Sequence, residues 1–169
     1  MPERARYEIF DTDGSQVAVV QETEKRSRIG AFANVVPTHR AFDVTTSRHE
    51  PLLTMIMNDE WHADLISPGG EPIGRIRVGF SRREYTLLDD EETVVAKAAG
   101  DLPATKFAVT GPAGERYAEF RKTWAGLRKE IFTEADNYTI RFGPGVPART
   151  RTIIVMVPVV LDMSLHGPY

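Results

Sequence analysis

The sequence predicts a single, mainly β domain, and two observations lead to this prediction. The chain has 169 residues, the length of one domain, with 41% hydrophobic and 27% charged residues, a balance typical of globular proteins. Short runs rich in β-forming residues recur roughly every 8–12 residues, separated by turn residues. This spacing indicates an antiparallel barrel or sandwich. Because no linker or low-complexity segment interrupts the chain, we expect one domain over residues 1–169.

Eleven short segments carry the strand pattern, as five successive pairs and one final strand. The predicted strands are 7–10 with 16–20, 41–44 with 52–57, 61–66 with 72–78, 84–88 with 93–98, 106–110 with 115–120, and 137–142. Turn residues join the pairs: Gly14 follows two aspartates, a Pro-Gly-Gly run occupies residues 68–70, and glycines flank residues 112–113. Residues 123–135 break the pattern, and the spacing of their apolar residues favours a short turn or helix.

The C-terminal apolar segment allows more than one interpretation. Residues 152–161 carry no charge. A membrane-spanning helix needs about 20 apolar residues, and this run ends at Asp162, so burial in a protein core is favoured. Taken alone, the β-branched residues favour a buried strand. Pro158 disfavours both a central strand and a helix interior.

Three motifs resemble the phospholipid scramblase family. Residues 122–142, KTWAGLRKEIFTEADNYTIRF, are similar to its K-x-W-x-G-L-x-x-E-x-F-T-D-A-D-N-F-x-I-x-F run. Residues 67–76 resemble its P-G-x-P-I-G-x-V hairpin, and residues 155–163 resemble its closing L-I-D-F-M segment. The similarity covers nearly the whole chain. The family is related to the LURP-one-related and tubby-like proteins, and this chain is similar to its compact prokaryotic members.

The resemblance implies a closed antiparallel barrel of about twelve strands around a hydrophobic C-terminal helix. The strands would occupy about residues 7–142 and the helix about residues 150–165, which replaces the strand prediction for that segment. Closure leaves no edge strand exposed, and a barrel of about this size is too wide to be filled by its own side chains. A helix of sixteen residues is about 24 Å long. Its expected core residues are Ile153, Val157, Val160 and Leu161.

Basic residues concentrate in the second half of the chain. Residues 116–151 contain eight Lys and Arg against four Asp and Glu, although the whole chain has a net charge of −3. Each such cation contributes roughly 1 kcal/mol at an anionic membrane surface, and tubby-like relatives bind phosphoinositides. The candidate lipid-binding residues are Arg121, Lys122, Arg128 and Lys129, with Arg75 and Arg77 on one outward strand face. The alternative is that these cations are only solvated on the barrel exterior.

Residues 134–145 resemble the scramblase loop D-x-D-N-F-x-I-x-F-P-x-D, which is proposed to bind calcium. Asp136 and Asn137 match that loop, Glu134 replaces its first aspartate, and Gly145 replaces its last acid. Calcium takes six to eight oxygen ligands, and Glu134, Asp136 and Asn137 supply too few. The alternative is that Asp136 and Asn137 cap a turn. We therefore expect no cofactor.

Several functional classes are excluded or unsupported. The chain has no cysteine, so disulfides, thiolate zinc sites, cysteine nucleophiles and palmitoylation are excluded. It also has no metal-binding histidine pair, nucleophile elbow or P-loop. The net charge gives no reason to expect nucleic-acid binding. The N-terminus does not resemble a signal peptide, so a cytoplasmic location is expected.

The sequence therefore predicts a non-enzymatic module that binds anionic phospholipid and is peripheral at a membrane. The resemblance also implies phospholipid scrambling. Autonomous scrambling is not expected, because a polar path across a bilayer requires spanning segments, and the sequence contains none. The alternative is a regulatory protein–protein interaction module that presents loops such as residues 26–40 and does not bind lipid.

Overall fold

The computed structural model describes residues 4–11, 13–23, 40–101, 105–123 and 137–166. These residues form an antiparallel sheet of eleven strands, hydrogen-bonded in chain order, and one C-terminal helix. The prediction of a mainly β protein with a C-terminal helix is confirmed. The chain groups into two compact units, Met1–Ile73 and Gly74–Tyr169. The prediction of a single domain stays a prediction, and each unit is described by itself.

The first unit is built from antiparallel hairpins at the predicted places. Its strands are β1 (Arg6–Phe10), β2 (Gln16–Glu22), β3 (Arg40–Thr46), β4 (Pro51–Met57) and β5 (His62–Ile66). Gly14 has a φ of 87°, the left-handed conformation that its turn between β1 and β2 requires. Alternate residues point inward, so Phe42 and Met55 have no exposed surface.

The second unit contains the remaining strands. The first of them begins at Pro72, two residues before Gly74, where the unit begins. These strands are β6 (Pro72–Val78), β7 (Glu84–Asp89), β8 (Val94–Gly100), β9 (Lys106–Thr110), β10 (Arg116–Thr123) and β11 (Asn137–Phe142). An aromatic stack organises its inner face: the rings of Phe107 and Phe120 lie parallel with centroids 4.7 Å apart. Tyr85 meets Phe107 edge-on at 5.9 Å.

The C-terminal segment is helix α1 (Ala148–His166). Ile153, Val157, Val160 and Leu161 have no exposed surface. The strand favoured by these residues alone is wrong. A helix buried on all sides needs no polar face and therefore lacks the 3.6-residue pattern that reveals an amphipathic helix. Pro158 lies inside α1 and is buried with it. Among the described residues, no helix is long and apolar enough to cross a membrane.

The strand count is close to the prediction of about twelve. Eleven strands lie within the described residues, whereas residues 24–39 and 124–136 lie outside them. The hydrogen-bonded order has β1 at one end and β11 at the other. Closure of the sheet into a barrel therefore stays a prediction.

Candidate functional site

The outer face of β9, β10 and β11 carries four cations around one carboxylate. Arg121 Nε lies 2.7 Å from Glu119 Oε1, while Arg116 Nη1 and Lys106 Nζ lie 3.3 and 3.8 Å from Glu119 Oε2. Strand register places Arg141 directly opposite Glu119 and Lys106 directly opposite Arg121. We call these five residues the Glu119 cluster.

Alternation along β10 explains why the cluster faces outward. Ala118 and Phe120 are buried in the inner face of the sheet, so Glu119 and Arg121 project from the opposite face. The arginine side chains remain accessible, with exposed fractions of 58% for Arg116 and 59% for Arg121. The Glu119 cluster is thus a surface feature.

The cluster is electrostatically unbalanced. The hydrogen bond from Arg121, together with the charges of Arg121, Lys106 and Arg116, holds the pKa of Glu119 below its ordinary value against a partial opposing effect of desolvation. Glu119 therefore stays ionised at neutral pH and leaves three of the four positive charges uncompensated. Because exposed ion pairs contribute little free energy, these cations can exchange one carboxylate partner for another anion at small cost.

A surface depression adjoins the cluster. Its volume is about 190 Å³, and Arg116, Glu119, Arg141 and Gly143 contribute to its lining. Arg151 of α1 stacks its guanidinium 5.4 Å from the centre of the Phe142 ring. Two arginines of the cluster therefore line this depression together with the Glu119 carboxylate and the apolar Ala118 and Phe142.

A second row of cations crosses the outer face of β6, β7 and β8. Arg77 on β6 lies opposite Thr86, which in turn lies opposite Lys97 on β8. Arg77 and Lys97 are exposed and, being two strands apart, are separated by about 10 Å of sheet. Arg75 lies two residues before Arg77, on the same face of β6. Its Nη1 is 3.2 Å from Glu92 Oε1. Its charge is therefore partly offset.

The structure separates two cations that the sequence places side by side. Lys122 lies opposite Tyr138, whose ring meets the buried Phe120 ring edge-on at 6.2 Å. Lys122 therefore belongs to the inner face at the end of β10, whereas Arg121 belongs to the outer face. Arg121 and Lys122 therefore do not share a face of β10. Arg128 and Lys129 lie outside the described residues.

Sequence reasoning missed Lys106 and Lys97 as members of the cationic surface and did not single out Arg116 or Arg141. Alternation with apolar residues indicates outward side chains for Lys97, Lys106 and Arg141 and could have been read from each strand. Arg116 has the parity of the buried Ala118 and reaches Glu119 only because the register shifts at the start of β10. The proximity of these residues could not have been read from the sequence, because it depends on the register between β9, β10 and β11. The Glu119 cluster is therefore a product of strand pairing.

The proposed calcium loop is divided by a strand. Asn137 begins β11 and Gly145 follows its end, so about 20 Å of extended chain separates the two parts of the motif. Gly145 has a φ of 76°, a conformation unfavourable for the acid that the loop would need there. Glu134 and Asp136 lie outside the described residues. Within the described part of the chain, no group of three acidic or histidine side chains could hold a metal ion.

One histidine–aspartate pair lies elsewhere, at the turn between β4 and β5. His62 Nδ1 is 3.0 Å from Asp59 Oδ2, and Asp59 Oδ1 accepts hydrogen bonds from the main-chain N–H groups of Trp61 and His62. Desolvation raises the pKa of Asp59, but the hydrogen bonds and the charge of His62 together lower it below its ordinary value. The pair therefore acts as a turn cap.

Comparison with known proteins gives one family. A family model described as Scramblase matches residues 2–166, which is nearly the whole chain. This range includes all three motifs singled out in the sequence. No curated protein and no solved structure matches the chain significantly.

Proposed function

This chain belongs to the scramblase family, and from that premise we propose that it is a non-enzymatic module that binds anionic phospholipid at a membrane surface. The Glu119 cluster is the observation that carries the proposal. It combines exposed cations, an excess positive charge and an adjoining depression. Head-group phosphates and carboxylates are the anions that such a surface would meet on a membrane.

The charge distribution supports a surface-specific attachment. The protein as a whole has a net charge of −3, so overall charge would repel it from an anionic bilayer. Attraction must come from a local surface, where each cation near the membrane contributes roughly 1 kcal/mol. The cations of the Glu119 cluster, with Lys97 on the neighbouring strand β8, supply such a surface. Binding of this kind weakens as salt screens the charges.

Vesicle flotation tests the proposal. The protein is mixed with phosphatidylcholine vesicles that either contain or lack phosphatidylserine, at low and at high salt. We expect flotation only with phosphatidylserine and release at high salt. The double variant Lys106→Glu with Arg121→Glu removes two attractive charges and adds two repulsive ones, so its affinity should fall about tenfold or more.

A matched variant separates local charge from net charge. Arg6→Glu with Arg48→Glu makes the same change in net charge at exposed positions of the first unit, and we expect it to bind nearly as the original protein does. Equal flotation with neutral and anionic vesicles would contradict the proposal. So would equal losses in the two double variants, because net charge would then explain the binding.

We also propose that the sheet closes into the barrel implied by the family resemblance, with α1 along its axis. The support comes from the helix itself: its residues from Ile153 to Leu161 are buried except Val155, which is partly exposed. An apolar helix of this kind requires cover on every side. Val157→Asp, which would place a charge on a fully buried position of α1, tests the burial on which this proposal rests.

A further inference from the structure

The turn between β6 and β7 presents an aromatic side chain to solvent. Phe80 is 94% exposed, whereas the next most exposed aromatic side chain among the described residues, Phe10, is 53% exposed. A single exposed apolar residue is common on protein surfaces and needs no explanation by itself. Two further features of this turn, its rigidity and its cationic surroundings, distinguish it.

Hydrogen bonds hold the turn in place. Gly79 N–H donates to the Glu84 carbonyl at 2.7 Å, and Arg82 N–H donates to the Gly79 carbonyl at 2.8 Å. The Arg82 guanidinium donates to the main-chain carbonyl of Ser164 near the end of α1, and the Tyr85 hydroxyl donates to the Arg82 carbonyl at 3.1 Å. Hydrogen bonds therefore fix the conformation of the turn that exposes Phe80.

One residue of the turn has a left-handed backbone conformation. Arg82 has a φ of 56°, and His49 and Glu92 adopt the same conformation in the turns before β4 and β8, so it belongs to the geometry of these turns. The bonds from Arg82 to Ser164 and from Tyr85 to Arg82 hold it in place here.

Cations of the second unit lie at the end of the sheet where Phe80 lies, together with the carboxylates of Glu84 and Asp101. The carbonyl of Arg83 accepts a hydrogen bond from Gly100, and Gly100 lies opposite Phe107, the neighbour of Lys106 on β9. Lys106 in turn lies opposite Arg121 on β10. Arg83 is thus about 10 Å of sheet width from Lys106 and about 15 Å from Arg121. Phe80 therefore projects from a rim that also carries part of the Glu119 cluster.

We propose that Phe80 inserts into the interfacial layer of an anionic membrane while Arg83, Lys106 and Arg121 contact the head groups around it. This inference rests on the proposed function and names the element that enters the membrane. Aromatic rings favour the boundary between head groups and acyl chains, and cations beside an apolar side chain add attraction to anionic lipid. The braced turn lowers the ordering cost of insertion, because Phe80 is already held outward.

Two Phe80 variants test the inference on vesicles of phosphatidylcholine and phosphatidylserine. Phe80→Ala should bind about tenfold more weakly, because the inserted apolar area is lost, with an unchanged dependence on salt. Phe80→Trp should keep binding. Its added tryptophan fluorescence should shift to the blue on binding, relative to the original protein, and should be quenched by brominated lipid. Phe10→Ala, at an exposed position of the first unit, is the matched control and should bind normally.

The outcomes distinguish this inference from the proposed function. If the original protein does not bind phosphatidylserine vesicles at all, the proposed function fails and this inference fails with it. If the original protein binds but Phe80→Ala binds equally well, only the insertion of Phe80 is overturned. Emission from Phe80→Trp that stays typical of a water-exposed indole on bound vesicles would also overturn it, and would assign the turn to a different contact such as a protein partner.

Discussion

Gly74 on β6 lies directly against Ile153 on α1. A methyl group at position 74 would be 2.6 Å from the Ile153 Cδ1 atom and 2.5 Å from the carbonyl oxygen of Leu88. Both distances are too short for carbon, so only glycine lets the strand and the helix approach this closely. The Pro-Ile-Gly run of the second motif therefore has a packing role: its glycine seats the C-terminal helix on β6.

Substituting this glycine should destabilise the protein. Gly74→Ala forces backbone or helix to shift, and overpacking of this kind costs about 1–3 kcal/mol. Urea unfolding measures the change. Gly69→Ala is the control from the same motif, because its nearest neighbour, Ser67 Oγ, would be 3.9 Å from the added carbon. Equal stabilities of the two variants would show that α1 does not press on Gly74.

A charge placed on α1 should be far more costly than the same charge on a strand at the surface. Val157 has no exposed surface, whereas Val94 is 38% exposed. Val157→Asp buries an unpaired carboxylate and should lower the free energy of unfolding by on the order of 4 kcal/mol or more. Val94→Asp should melt near the midpoint of the original protein. Thermal melts followed by circular dichroism compare them.

A milder change keeps this test readable if Val157→Asp fails to fold. Val157→Ala removes two buried methyl groups and should cost about 2 kcal/mol. If both Val157 variants kept the melting temperature of the original protein, α1 could not be an axial core helix. The barrel proposal would then be wrong as well.

The stability of the first unit should depend on pH through one ion pair. Arg40 Nε and Nη2 each donate to a Glu22 carboxylate oxygen at 2.7 Å, and this bond holds the pKa of Glu22 below its ordinary value of 4.5 despite partial desolvation. The unfolded chain therefore binds a proton more readily than the folded protein does. The stabilisation is present above the ordinary pKa and is lost as pH falls through the lowered one.

Glu22→Gln tests this dependence. The variant should be less stable than the original protein at neutral pH, and the difference should shrink as pH falls through the acidic range. Urea unfolding at a series of pH values gives both curves. Parallel curves, with a constant difference at every pH, would mean that Glu22 contributes through packing and not through its charge.

Calcium should not stabilise the protein. Gly145 stands where a loop acid is needed, and β11 separates it from Asn137. A ligand that binds only the folded state raises the melting temperature, and the rise grows with ligand concentration. Melts with added calcium and with a chelator should therefore coincide. A clear rise with calcium would contradict this expectation and would direct attention to Glu134 and Asp136.

The sequence by itself determined the positions of the strands and of most turns. Alternation of apolar residues and turn chemistry are local properties, so the hairpin around Gly14 and the last strand at residues 137–142 lie where they were predicted. The identity of the family was likewise readable from contiguous motifs. The prediction that the C-terminal segment is a helix depended on the family resemblance, because an entirely apolar segment carries no periodic signal.

Only the tertiary structure decided which side chains share a surface. Lys106 and Arg121 are fifteen positions apart in the chain and lie opposite each other through the register of β9 with β10. Arg121 and Lys122 are adjacent in the chain and lie on opposite faces of β10. Strand geometry turns successive side chains to opposite faces, and strand pairing joins distant residues on one face. A linear charge count therefore detects a basic region, but the binding surface exists only after the strands have paired.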